Sequence, residues 1–259
     1  MAPRPVALTI AGSDPGGGAG IQADLKTFHQ FGVYGAAAIT LLTVQNTTRV
    51  DRVECLAADL IVDQIRAVVT DLEPAAAKTG ALGRRETVEA IAALALEWNF
   101  PLVVDPVRFA KPGAALLDPD ALAALRDLLI PRAFLITPNL DEAAELTGET
   151  DMRRAAEALV GMGARAVLVK GGHLEGDAVD ILLHAGRWSE FRAPRIDTKH
   201  THGTGCAYSA AITSGLALGQ SLEASVATAK AWITEAIRTS PGIGHGAGPI
   251  NHHARITGI

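Results

Sequence analysis

Six short apolar runs, Val6–Ile10, Ala36–Leu42, Ala75–Lys78, Leu102–Asp105, Ala133–Ile136 and Ala166–Lys170, recur along the chain, with helix-period segments such as Thr87–Trp98, Pro119–Leu129 and Met152–Met162 among them. A central strand of a parallel sheet is buried on both faces and reads as an unbroken apolar run, and each parallel neighbour needs a crossover, usually a helix. The alternation therefore predicts βα units around a mostly parallel sheet. Several runs end in polar or glycine residues, as in Ala11-Gly12-Ser13-Asp14, Gln45-Asn46, Lys78-Thr79-Gly80, Asp105-Pro106, Thr137-Pro138-Asn139 and Lys170-Gly171-Gly172. Those are the carboxyl ends of the strands, where open α/β sheets bind ligands.

After Lys170 the pattern changes. Ala178–His184 and Arg187–Arg192, joined by Ala185-Gly186, predict a hairpin at an antiparallel edge. Gly205–Leu218 and Leu222–Thr239 predict helices, and a Gly/Pro/His tail follows. With no internal repeat, low-complexity tract or linker, the chain is expected to form one domain over residues 1–259.

A net charge of -5 with no block of Lys or Arg argues against a general nucleic-acid or anionic-membrane surface, so anionic ligands must be met locally. The start, Met1 to Pro5, lacks a signal-peptide layout, and no apolar run approaches the roughly 20 residues that span a bilayer. Cys55 and Cys206 lie far apart without metal-ligand spacing. A cytoplasmic protein without disulfides is expected.

The stretch Asp197-Thr198-Lys199-His200-Thr201-His202-Gly203-Thr204-Gly205-Cys206 places a glycine-bracketed turn before a small-residue helix expected to begin near Ala207. The first amides of a helix lack intrahelical partners and carry partial positive charge, which suits phosphate. Gly203 and Gly205 would admit phosphate oxygens close to the backbone. The alternative is an ordinary helix start capped by Thr201 or Thr204. The earlier cluster Gly12–Gly20 matches neither GxGxxG nor the Walker pattern, because Ile21 and Ala23 stand where a final glycine is needed and no Gly-Lys-Ser/Thr occurs. It reads either as a flexible substrate-side loop, with Asp24 one turn into the next helix, or as a plain strand-to-helix turn.

Asn139 and Glu142 sit at i, i+3 on one face of a helix start, a pairing that suits a hydrated magnesium ion but taken alone reads more readily as a capping box. Lys170, at a strand end beside Gly171 and Gly172, is a point charge for a nucleotide phosphate or a lysine snorkelling from an edge. Asp105-Pro106 and Lys78-Thr79-Gly80 are ambiguous singly. Taken together, these strand ends carry the polar groups that phosphoryl transfer from a metal–nucleotide complex uses. The tail Ile243–His253, with His245, His252 and His253, reads as a solvated terminus rather than a metal site.

Several strings in combination closely resemble the hydroxymethylpyrimidine and phosphomethylpyrimidine kinases of thiamine biosynthesis, of the ribokinase-like superfamily. They are Ala7–Pro15, Gly17–Phe28, Ile136–Leu140, Val167–Leu174 and Asp197–Cys206, and the resemblance runs from about Ala7 to Asn251. It implies a three-layer α/β/α ribokinase-like fold, typically homodimeric. The implied reaction uses ATP and Mg2+ to phosphorylate 4-amino-5-hydroxymethyl-2-methylpyrimidine, and then its monophosphate, to the pyrophosphate. By motif, Gly12, Asp24 and Gln45 would contact the pyrimidine, with Ala81, Val107 and Arg108 beside it. Asn139 and Glu142, with Asp105, would lie near magnesium and phosphate, Lys170 at the nucleotide phosphates, and Gly203, Thr204 and Gly205 at the anion hole.

Cys206 stands where most ribokinase-like enzymes carry an aspartate base. A thiol's pKa falls at a helix N-terminus, so Cys206 is expected to take the hydroxymethyl proton; the competing view makes it a small wall residue beside a loose transition state. The chain also departs from the family's usual Lys-Ile-Gly-Met-Leu and Asp-Pro-Val-Met strings, reading Lys78-Thr79-Gly80-Ala81-Leu82 and Asp105-Pro106-Val107-Arg108. Ala81 for Met would widen the pocket, and Arg108 would be placed to grip the substrate monophosphate. The rival readings are a pyridoxine or pyridoxal kinase, a non-catalytic ligand-sensing relative, and a thiol enzyme pairing Cys206 with His202. The last lacks an orienting third group.

Overall fold

The computed structural model describes residues 4–110, 113–172 and 176–256. Its centre is a nine-stranded sheet made of β1 (Val6–Ser13), β2 (Tyr34–Gln45), β3 (Val50–Cys55), β4 (Ala76–Thr79), β5 (Leu102–Val104), β6 (Leu135–Ile136), β7 (Ala166–Lys170), β8 (Ala178–His184) and β9 (Arg187–Ala193). The order across the sheet is β3-β2-β1-β4-β5-β6-β7-β8-β9. From β2 to β7 all neighbours are parallel, whereas β3 pairs antiparallel with β2, and β8 and β9 extend the other edge antiparallel. The chain steps outward from β1 to β2 and then returns to β4 on the opposite side of β1, which makes β1/β4 the switch point where open sheets bind ligands.

The helices are α1 (Gly20–Gln30), α2 (Ala58–Leu72), α3 (Arg85–Leu94), α4 (Pro119–Ala124), α5 (Leu140–Thr147), α6 (Met152–Gly161), α7 (Thr204–Ala217) and α8 (Leu222–Arg238). Side chains alternate across each strand, and the two faces pack against different helices. Leu8, Ile10, Ala77, Val104 and Val167 join Ile61 and Ile65 of α2, Val88 and Ile91 of α3 and Leu159 of α6 in one core. Val103, Leu135, Ala166 and Leu168 join Ala211 and Ile212 of α7 and Val226 and Trp232 of α8 in the second. Ala7 and Ala76 meet Phe28 of α1 and Ala210 of α7 beside it. Three layers, α/β/α, result.

Helix α7 is buried on nearly every side because it is built from small residues, and at Gly215 a Cβ would collide with Ser225 of α8. Absence of side chains there lets the two helices approach closely enough to seat α7 between α8 and the sheet.

Two differences from expectation stand out. The antiparallel edge is double, because β3 adds to β2 although its residues alternate between exposed and half-buried and show no apolar run. The helical pattern from Pro119 is α-helical only to Ala124, then widens into a π turn over Leu125–Leu129 and a tight turn over Ile130–Arg132. Pro131 has no N–H with which to continue the ladder.

Candidate active site

A cavity of about 590 Å³ opens over the carboxyl ends of the parallel strands and is walled on one side by the mouth of α7. That mouth starts at Thr204, three residues before the expected Ala207, with Gly203 as its N-cap. Gly203 has φ +76°, and a Cβ on it would run into the carbonyl oxygen of Gly18. Glycine is therefore required twice over, by conformation and by contact. No side chain caps this helix, and the Thr204 hydroxyl turns back to the Thr201 carbonyl at 2.7 Å. The Gly205 and Cys206 amides are left without a side-chain cap at the cavity wall, so this is not a conventionally capped start, and amides of this kind can receive an anion.

The cationic and acidic groups converge on the same wall. Asp105, at the end of β5, is buried and accepts from Lys170 Nζ at 3.1 Å and the Thr137 hydroxyl at 3.1 Å through Oδ1, and from the Ser209 hydroxyl at 3.2 Å through Oδ2. Burial opposes the Asp105 charge, but Lys170 and Lys78 outweigh it and hold the carboxyl below its ordinary range. A Cβ on Gly205 would sit 3.4 Å from Lys170 Nζ, so the glycine brings the first turn of α7 against the lysine.

Asn139 and Glu142 do form a capping box, with Glu142 N–H donating to Asn139 Oδ1 at 2.9 Å and Asn139 N–H to Glu142 Oε2 at 2.8 Å. Both also line the cavity, so the capping role does not remove them from it. Burial raises the Glu142 carboxyl to about 7, with Lys170 opposing and Asp105 adding to the shift. An acid whose charge is only partly compensated in this way fits a cation. Among the described residues no group of three or more His, Cys, Asp or Glu side chains is arranged to hold a metal ion. With Asp105 and the Asn139 amide oxygen already engaged, Glu142 Oε1 is the carboxylate oxygen open to a cation, which suits a magnesium ion that keeps most of its water.

On the opposite side, Gly12, Leu41, Thr43, Gln45, Ala81 and Val107 form a mostly apolar wall. A Cβ on Gly12 would meet Leu41, so glycine keeps this wall flat. Two residues expected here are elsewhere. Asp24 does not line the cavity: it is fully buried beneath it, accepting from Lys78 Nζ and from the Thr9 hydroxyl, the latter at 2.6 Å. A carboxylate one turn into α1 points at the sheet because α1 lies flat on β1, and the lysine of β4 neutralises it there. Burial opposes the Lys78 charge, yet Asp24 holds the ammonium above its ordinary pKa. Arg108 also faces away, pairing with Glu145 of α5 and lying 5.0 Å from the Phe109 ring centre, so it is not poised to grip a monophosphate.

The thiol of Cys206 lines the cavity, but its expected acidity is reversed. Burial pushes it up to about 11, against the pull of Lys78 and with Asp24 and Asp105 adding to the rise. The helix terminus is outweighed because burial strips water from the sulfur, with the two carboxylates adding a smaller push. Thr204, Gly205 and Lys170 stand at the wall where the sequence put them.

The first glycine loop, expected to be flexible, is tied down. Asp14 accepts from the Gly16, Gly18 and Ala19 amides at 2.8, 3.1 and 2.9 Å and from His202 Nε2 at 2.8 Å. The tail, expected to be solvated, is also packed: Ile250, His252 and Ala254 are buried, and the Ala254 carbonyl accepts from Trp232 Nε1 and Gln30 Nε2. Apart from Asp14 and His202, sequence reasoning missed Asp180 of β8, which accepts from the Gly171 amide, the Tyr208 hydroxyl and Lys230 Nζ at 3.2, 3.0 and 2.7 Å. Its signal was a lone carboxylate inside the apolar run Ala178–His184. His173 and Leu174 of the Lys170 motif, and Lys111 and Pro112 of the Asp105 motif, lie outside the described residues.

Residues 14–251 match the family described as phosphomethylpyrimidine kinase. A hydroxymethylpyrimidine/phosphomethylpyrimidine kinase of Rhizobium meliloti is 50% identical over 259 residues, covering 96% of this chain and 97% of the relative. Among solved structures, a phosphomethylpyrimidine kinase from Clostridium difficile superposes with a TM-score of 0.80 at 44% identity, covering 90% of this chain and 100% of the other. An ADP complex of Bacillus subtilis pyridoxal kinase superposes with a TM-score of 0.89 at 37% identity, covering 97% and 98%. With its uncapped helix mouth, its lysine and acids at the strand ends and a near full-length match, the chain belongs to the phosphomethylpyrimidine kinase family.

Proposed function

We propose that this protein transfers the terminal phosphoryl group of ATP to the hydroxymethyl oxygen of 4-amino-5-hydroxymethyl-2-methylpyrimidine, and then a second phosphoryl group to the monophosphate. One observation carries this reading: the uncapped mouth of α7 lies between the Lys170, Asp105 and Glu142 cluster on one side and the Gln45, Ala81 and Val107 wall on the other, all in one cavity. The relatives named for this activity support the choice of ring substrate.

In this reading Lys170 meets the nucleotide phosphates as a point charge, and the Gly205 and Cys206 amides, presented by the Gly203–Thr204 turn, neutralise the oxygens of the group in flight. Gln45 and Val107 seat the aminopyrimidine ring, with Gly12 keeping the floor flat. Asp24 acts from below through Lys78, not on the ring. A bound magnesium ion would supply positive charge to offset that of the phosphates. Glu142 would hold it, with Asn139 and Asp105 acting through its water shell. Cys206, protonated at neutral pH, is a compact neutral wall. The chain then works as one catalytic domain, in the cytoplasm, where its two free thiols persist. The exposed Leu42 and Val44 of β2 supply apolar surface that a homodimer contact would cover, and light scattering tests that state.

A second reading, pyridoxal kinase, draws on the B. subtilis superposition and on the room left by Ala81. Following ADP release from ATP and magnesium with each candidate ring separates the two. Turnover of the aminopyrimidine and its monophosphate is expected, and turnover with pyridoxal alone would overturn the reading. Ala81→Met is expected to favour the smaller ring further.

A further inference from the structure

His202 joins three segments that are far apart in the chain. Its ring Nε2 bonds Asp14 at 2.8 Å, its backbone N–H donates to the Gly248 carbonyl at 3.1 Å, and it directly precedes Gly203, the N-cap of α7. A Cβ on Gly18 would collide with the His202 ring, and one on Gly203 with the Gly18 carbonyl, so the loop 14–20 and the turn 201–205 interlock without slack. Asp14 is the hub of the loop, since the same carboxylate collects the Gly16, Gly18 and Ala19 amides. Both His202 and Asp14 are nearly buried at the rim of the cavity, and neither belongs to the Lys170, Asp105 and Glu142 cluster.

We propose that His202 is a positioning residue for phosphoryl transfer: its bond to Asp14 locks the glycine loop onto the turn before α7 and so fixes where the anion-binding amides point. Misplacing such a site by about 1 Å costs on the order of a hundredfold in rate, which is the scale at stake. Burial works against the Asp14 charge, but the His202 and Gln45 side chains overcome it and hold the carboxyl at about 2, so the lock is charged on the acid side throughout the working range. The proposal rests on the kinase reading for its rate consequence, while the locking itself does not.

The test compares the unaltered protein with His202→Ala and His202→Gln, the second retaining an N–H donor. In amide hydrogen exchange without ligand, His202→Ala is expected to speed exchange at Gly18 and Ala19 by about tenfold or more while the interior of α8 is unchanged. In turnover, His202→Ala is expected to lower kcat about 30–100-fold with KM for ATP and for the pyrimidine within about threefold, and His202→Gln to recover most of kcat. Unchanged loop exchange in His202→Ala, a kcat within about threefold of the unaltered protein, or a loss carried by KM would each overturn the proposal. If the unaltered protein phosphorylates no ring alcohol, the kinase reading falls instead, and the exchange result alone still upholds or overturns the lock.

Discussion

Lys78 Nζ lies 2.9 Å from each carboxylate oxygen of Asp24, and neither side chain has any exposed surface. This ion pair sits beneath the cavity, close enough to Cys206 for both charges to act on the thiol. Removing one partner of such a pair leaves the other charge buried and unpaired, which is far costlier than losing the pair as a whole.

Asp24→Asn is therefore expected to lower folding stability by about 3–5 kcal/mol, measured by urea unfolding, while the joint change Asp24→Leu with Lys78→Met costs clearly less than that single change. A stable Asp24→Asn protein whose defect is a raised KM for the pyrimidine would return Asp24 to the role of ligand contact.

Glu142 carries the opposite trade. Its carboxyl is raised from an ordinary 4.5 to about 7, so the folded state prefers it protonated, and the cost of its charge grows as pH rises from the unfolded value through the folded one. Glu142→Gln should raise stability at pH 8 by about 1–3 kcal/mol and have little effect at pH 4, while turnover with magnesium–ATP falls steeply. Equal stability changes at both pH values would show that its charge is not the cause.

With a pKa of about 11, Cys206 is thiolate in only about 1 molecule in 10⁴ at pH 7. Cys206→Ser and Cys206→Ala are each expected to keep kcat within about tenfold, as a loose transition state requires little help from a base. A loss of more than about a thousandfold in both, larger than one displaced wall residue explains, would reinstate the thiol as base.

Gly203→Ala tests the α7 mouth directly. The substitution imposes a side chain at φ +76° and against the Gly18 carbonyl, a strain of about 1–3 kcal/mol. The melting temperature should fall by several degrees and kcat by at least about a hundredfold. An alanine variant with full turnover would mean that the phosphoryl group is held elsewhere.

The architecture was legible because burial on both faces of a strand leaves a mark that one sequence carries by itself. The run Ala166–Lys170 is β7 residue for residue, and the Ala185-Gly186 turn joins β8 to β9 as its composition requires. The edge strand β3 left no such mark, since its pairing to β2 comes from backbone bonds with side chains half in water. The glycine-bracketed turn at 203–205 likewise marked an uncapped helix start, and the Asn139–Glu142 spacing marked a capping box through helix geometry.

What the sequence by itself determined, then, was everything that follows from local chain geometry and apolar periodicity: the α/β class, the strand ends that carry polar groups, the helix mouth. Charges were decided only by the tertiary structure. Whether Asp24 meets a ligand or Lys78, whether Arg108 faces the cavity or Glu145, and whether the Cys206 proton is loose or tight all depend on neighbours from distant segments and on how much water reaches them. Electrostatic energies vary with distance and burial, and neither quantity exists until the chain has folded.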